Sequence, residues 1–114
     1  MYDTKFDVKR LFLNFFKVLF FLIFIKTAHS NADETYNLGK KVFLEAGNCA
    51  ACHMLSDAGS NAMVGPNLNE IRPDIQRIIM AVRNGIGVMP AMEGVLTDQE
   101  IEAVAHYVSI AAEQ

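Results

Sequence analysis

The aromatic side chains are spread so unevenly that the chain divides into two segments with different jobs. Seven of its eight phenylalanines (Phe6, Phe12, Phe15, Phe16, Phe20, Phe21 and Phe24) stand in the first 25 residues. Five of the ten Lys and Arg residues stand with them: Lys5, Lys9, Arg10, Lys17 and Lys26. All seven glycines and all three prolines come after Ala32. Past residue 30 only Tyr36, Phe43 and Tyr107 are aromatic, in a stretch of 84 residues. Domains below about 80–100 residues are marginal on their own and usually carry a disulfide, a metal or another staple. A segment this short and this poor in large side chains is expected to fold around something that is not a side chain.

The first segment reads as an export signal. Lys5, Lys9 and Arg10 precede an apolar stretch from Leu11 to Ile25, interrupted by Asn14 and Lys17. Small residues follow at Ala28, Ser30 and Ala32, the order of a basic start, an apolar centre and a cleavage site. The expected division is a signal peptide over residues 1–30, with cleavage after Ser30 or Ala32, and one domain over residues 31–114. The competing reading is an uncleaved membrane anchor, but the apolar run falls short of the roughly 20 residues that span a bilayer. Membrane association is expected only if the leader stays attached.

The remaining domain holds eleven acidic and five basic residues, a net charge of −6 against −3 for the whole chain. That balance opposes binding to nucleic acid and favours partners with a basic face. A hydrophobic share of 52% excludes disorder, and two cysteines exclude a multi-bridge scaffold.

Both cysteines fall in Cys49-Ala50-Ala51-Cys52-His53. Cys-x-x-Cys-His is the attachment pattern for a c-type haem. Thiols at this spacing reach the two vinyl groups along one porphyrin edge, and the next residue, His53, supplies an axial imidazole. Haem, a large apolar disc, would also supply the missing core. Three other readings fit less well. A redox dithiol wants a β-α-β setting, and no alternating strand pattern is visible. A zinc site needs two more ligands, and His53 follows Cys52 too closely for an easy tetrahedron. A disulfide here would close a very small loop and stabilise little.

A second axial ligand would come from Met54, Met63, Met80, Met89, Met92 or His106. Met54 adjoins the proximal histidine. Met80 lies on an amphipathic helix, where packing is the better reading, and so does His106. Met89 follows Gly85 and Gly87 and precedes Pro90, a context that holds one side chain in a fixed place. Met/His ligation is a known arrangement for iron in this type of site, so Met89 is the expected ligand and Met92 the reserve.

Three helices are expected. The first covers residues 35–46 and stops at Gly47; the second covers residues 73–84 and stops at Gly85, with Ile75, Ile78, Ile79 and Val82 as its buried stripe. The third opens on a capping box, Thr97-Asp98-Gln99-Glu100, with Leu96 and Ile101 as a hydrophobic staple. Its inner face is Ile101, Val104, Ala105 and Val108, flanked by Tyr107. The stretch from Leu55 to Arg72 lacks periodicity and reads as a long loop, with no strand.

From about Leu38 to Ile110 the chain resembles a small class I, monohaem c-type cytochrome of the bacterial and algal type. The resemblance rests on Cys49 to His53 after the first helix, on Gly65-Pro66-Asn67-Leu68, and on Met89-Pro90-Ala91. It implies an all-α class I cytochrome c fold, three main helices and loops wrapped around one covalently bound haem c. It implies that the Pro66 carbonyl orients His53, and that the first and last helices cross where Gly39 and Phe43 meet Tyr107. The chain departs from the family in having no Trp and in placing Met92 where an aromatic is common. Arg72 and Arg77 read as solvated helix charges rather than partners of the haem propionates.

The function expected from this resemblance is one-electron transfer between periplasmic or membrane redox proteins, by a carrier rather than an enzyme. The alternative is a haem c subunit docked on a periplasmic dehydrogenase. Either way the redox partner is expected to present a basic face, and Ala50, Ala51, Val64 and Ala91 to form a small apolar contact patch.

Overall fold

The computed structural model describes residues 7–114. Lys5, at the basic start of the leader, lies outside the described residues. The chain separates into two compact units, Met1–Ala32 and Asp33–Gln114. Helix α1 (Val8–Lys41) contributes to both. In the first unit its apolar side chains from Val8 to Phe21 are all exposed, including Phe12, Phe15, Phe16 and Phe20. An apolar surface all round a helix is not the pattern of one that packs beside a core with its other face in water. Among the described residues no helix is long and apolar enough to cross a membrane.

The second unit is built from helices and short turns. The expected helix over residues 35–46 is present, but its end differs. After Lys41 the backbone widens into a π-helical turn, Val42–Ala46, where Gly47 N donates to Val42 O at 2.7 Å. Gly47 keeps a right-handed φ of −88°. The left-handed stop falls one residue later, on Asn48 at φ 48°; Asn adopts that conformation more readily than most residues. The turn swings Phe43 fully inside.

The expected unbroken loop after residue 55 is instead a sequence of short elements. Strands β1 (Met54–Leu55) and β2 (Ser60–Asn61) pair antiparallel, Met54 opposite Asn61 and Leu55 opposite Ser60. A single turn, Ser56–Ala58, joins them. Two residues per strand give no alternation to detect, and the pairing is supported by one buried hydroxyl: Ser60 Oγ lies within hydrogen-bond distance of the Ala50 and His53 carbonyls. Helix α2 (Leu68–Ile71) follows, capped by the Asn67 side chain.

Helix α3 (Ile75–Asn84) starts two residues later than expected, because Asp74, not Pro73, caps it by accepting from Arg77 N. Gly85 ends it at φ 71°. Ile78 and Val82 are buried and Ile79 partly so, whereas Ile75 is exposed. Helix α4 (Asp98–Ala111) opens on the full capping box of Thr97 and Glu100, and both staple residues, Leu96 and Ile101, are buried.

Helices α1 and α4 approach closely at Gly39. A Cβ on Gly39 would come within 2.1 Å of the Ala103 carbonyl oxygen and 2.5 Å of Tyr107 Cβ, so only glycine lets the two backbones approach this far. Tyr107 does not flank the core but fills it, at 0% exposure. Its ring meets Tyr36 and Phe43 edge-on, at centroid distances of 5.0 and 5.8 Å.

Candidate haem site

The left-handed Asn48 turns the chain into a single 3-10 turn, Cys49–Ala51. Cys52 N and His53 N both donate to the Cys49 carbonyl, at 3.1 and 3.0 Å, so both cysteines and the histidine project from one tight turn. Both thiols are free. Burial pushes the Cys49 thiol up to about 11. A redox dithiol depends on a lowered thiol pKa, so this environment disfavours that reading.

The His53 ring is held from two sides. Its Nδ1 lies 2.9 Å from the Pro66 carbonyl oxygen. A carbonyl can only accept, so Nδ1 carries the proton and Nε2 keeps its lone pair for a metal, the orientation by a backbone acceptor common to ligating imidazoles. Gly65 lies directly against the ring: a Cβ there would stand 2.6 Å from His53 Cε1. Gly65 N donates to the Cys52 carbonyl at 2.7 Å, closing the segment onto the cysteine turn.

Facing this turn is the loop between α3 and α4. Ile86 and Met89 exchange backbone hydrogen bonds at 3.1 and 3.0 Å across Gly87 and Val88. Gly87 takes φ 57° and Gly85 φ 71°. At Gly85 a side chain would also meet Met89 O and Ala91 N, both at 2.7 Å. Met92 is tied separately, its N donating to Val82 O at 2.8 Å.

Between the turn and the loop lies a cavity of about 1130 Å³, above the roughly 300–1,000 Å³ usual for small-molecule pockets. Cys49, Cys52, His53, Pro66, Met89 and Met92 all line it. Its wall also carries large apolar side chains that the chain leaves exposed: Ile71, Met80 at 65% exposure, Ile86, and Val88 at 93%. Met80 therefore does not pack into the core as expected. His106 and Met63 are absent from the lining. Of the expected contact patch, Ala51, Val64 and Ala91 are exposed, but Ala50 is half-buried and packs against the core. Ser60 was not singled out from sequence; Gly65 entered only within the Gly65-Pro66-Asn67-Leu68 motif, and Arg77 only as a solvated helix charge. Only the glycine beside Pro66 carried a visible signal.

The donor set and the shape fit haem c. Paired thiols project from one turn, an imidazole is fixed with Nε2 free, thioethers stand on the facing loop, and an apolar slot lies between. Fold and site thus define a small monohaem c-type cytochrome of class I. Comparison with known proteins places it further. The family profile described as cytochrome c oxidase, cbb3-type, subunit III matches residues 34–108. Cytochrome c6 of Chlorolobion braunii is 39% identical over 79 residues, covering 62% of this chain and 84% of that protein. Cytochrome c6 of Tetradesmus obliquus is 44% identical over 82 residues, with the same coverage of 62% and 84%. The crystal structure of the c-type cytochrome SorU from Sinorhizobium meliloti superposes with a TM-score of 0.67 at 54% identity, covering 70% of this chain and 93% of that one. The chain belongs to the c-type cytochrome family, carries a single covalent haem c and is a monohaem electron-transfer protein.

Proposed function

We propose that the protein is a diffusible one-electron carrier outside the cytoplasmic membrane, with Cys49 and Cys52 forming the thioethers and His53 and Met89 the axial ligands. The observation that carries the reading is the His53–Pro66 hydrogen bond, which fixes the tautomer and leaves Nε2 with its lone pair free on a ring that lines the cavity. When bound, haem c supplies an iron that alternates between ferric and ferrous. The rest is the work of the chain. Gly65 and Pro66 hold the imidazole still, Ser60 clamps the carbonyls of the cysteine turn, and apolar side chains keep water from the cavity. Both methionines are held by backbone hydrogen bonds on both sides, so the choice of Met89 over Met92 rests on the Met89-Pro90-Ala91 resemblance and on the Gly85 and Gly87 context.

The break between the compact units at Ala32 and Asp33 supports release of the leader near that point, and an exported chain would act in the periplasm. The acidic balance of the second unit supports a basic partner, steered electrostatically over a small interface. The docked-subunit alternative predicts co-purification with a larger enzyme.

Far-red absorption of the oxidised protein tests the ligand assignment. Thioether coordination gives a weak charge-transfer band there. Met89→His should remove that band while keeping six-coordinate low-spin iron. If Met92→Leu abolishes it and Met89→Leu does not, the sixth ligand is Met92. Stopped-flow reduction by a basic donor should slow as salt rises; a flat or rising rate would remove the acidic face from docking.

A further inference from the structure

Haem brings two carboxylates into the protein, on the porphyrin edge away from the vinyl groups, and a net-acidic domain must accommodate them. Among the described residues lining the cavity, Arg77 alone carries a formal charge; apart from His53, the only other polar side chains there are Asn48 and Asn84. Arg77 sits in the first turn of α3, a helix packed chiefly on α4 rather than on the cysteine turn that fixes the vinyl edge.

The domain's other arginines are engaged. Arg83 contacts Asp98 at 2.7 Å and Glu93 at 3.6 Å. Arg72, left-handed at φ 40°, reaches the Asn69 carbonyl at 3.2 Å and Glu113 at 4.0 Å. Arg77 has one acidic residue, Asp74, a helical turn away, yet its guanidinium pairs with none of the described residues. Even Asp74 takes the Arg77 backbone N–H instead, at 2.9 Å. An exposed cation that lines an apolar slot and has no ion-pair partner among the described residues, in a domain of eleven acids and five bases, is free to meet an anion that is not part of the chain. A planar guanidinium suits a carboxylate in bidentate geometry.

We infer that Arg77 pairs with a haem propionate, holding it ionised and offsetting its charge beside the iron. The inference rests on the haem reading above. It is offered in place of the expectation that Arg77 is a solvated helix charge; Arg77 is exposed, as is Arg72, whose contacts are to Glu113 and Asn69.

The test is the midpoint potential of the holoprotein between pH 5 and 9, in wild type, Arg77→Gln, Arg77→Lys and Arg72→Gln. Removing a positive charge beside the propionate favours the ferric state, so Arg77→Gln should lower the potential at neutral pH. The freed propionate would then take up a proton as pH falls, so the variant should gain a rise in potential toward acid that wild type lacks. Arg77→Lys should restore most of the wild-type profile, and Arg72→Gln should leave it unchanged. An Arg77→Gln protein with the wild-type potential and pH profile would overturn the inference, as would an equal shift from Arg72→Gln. The alkaline pyridine spectrum of wild type separates the two levels: without covalent haem the haem reading fails and takes this inference with it.

Discussion

The two sides of the Asp33–Gln114 unit solve the same packing problem in opposite ways. Where α1 crosses α4 the interior is closed by the chain itself. Gly39 brings the backbones together, Phe43 and Tyr107 fill the space, and the one polar group in the middle is satisfied: Tyr107 Oη donates to Asp57 at 2.7 Å. Lys40 Nζ completes the cluster, 3.0 Å from the same carboxylate and 2.9 Å from the Asp57 carbonyl oxygen. Where α3 and its loop face the cysteine turn, large apolar side chains stand open along a cavity. Ile71, Met80, Ile86 and Val88 line that cavity, where haem would cover the part of their surface that faces it. One side owes its stability to side chains, the other to the cofactor.

Cutting the tie to that cofactor should have the largest effect. Cys49→Ala with Cys52→Ala should yield a chain without covalent haem and without a cooperative thermal transition, read by circular dichroism. A sharp transition near the wild-type midpoint would mean that the cavity side closes by itself. Next comes the crossing. Gly39→Ala puts a methyl group into the Ala103 carbonyl and Tyr107, and overpacking of this kind costs about 1–3 kcal/mol, sometimes more. The loss should appear in denaturant unfolding while the oxidised spectrum keeps its axial-ligand signature.

Tyr107→Phe should be milder, about 1–2 kcal/mol, since Asp57 keeps Lys40 when it loses the tyrosine donor. Its effect should depend on pH. The Tyr107 hydrogen bond, then Lys40, hold the Asp57 carboxyl below its ordinary value. The stabilisation is therefore present above the unfolded carboxyl pKa of about 3.9 and is lost as pH falls through the lower folded value. Burial, then Asp57, push the Tyr107 hydroxyl well above the ordinary tyrosine value. That contribution is complete below an unfolded pKa of about 10 and fades as pH rises beyond it. The stability gap between wild type and Tyr107→Phe should thus be widest at neutral pH and narrow below about pH 4 and above about pH 10; a constant gap would refute the coupling. Met92→Leu should be the smallest change, under about 1.5 kcal/mol for a swap that conserves volume, and should leave the far-red band in place.

The two sides also differ in how far the sequence revealed them. The haem side rests on neighbours in the chain: the cysteine spacing, Gly65 beside Pro66, and the glycines before Met89. The α4 start was legible for the same reason, since a capping box is four consecutive residues. The crossing was visible only through the family resemblance, and the Lys40–Asp57–Tyr107 cluster not at all. Asp57 lies 17 residues from Lys40 and 50 from Tyr107, and no periodicity marks a pairing over that distance. The β1–β2 pair was missed because it owes its place to the Ser60 hydroxyl rather than to a run of strand-forming residues. Met80 misled because an amphipathic face does not say whether it meets protein or cofactor.

The Asn48 turn has a consequence for biogenesis. It places Cys49 at the start of a short 3-10 turn and Cys52 just past its end, the first thiol largely buried by the chain and the second exposed. In the folded chain the Cys52 sulfur is therefore the more accessible of the two to an attachment enzyme, while burial shields the Cys49 sulfur.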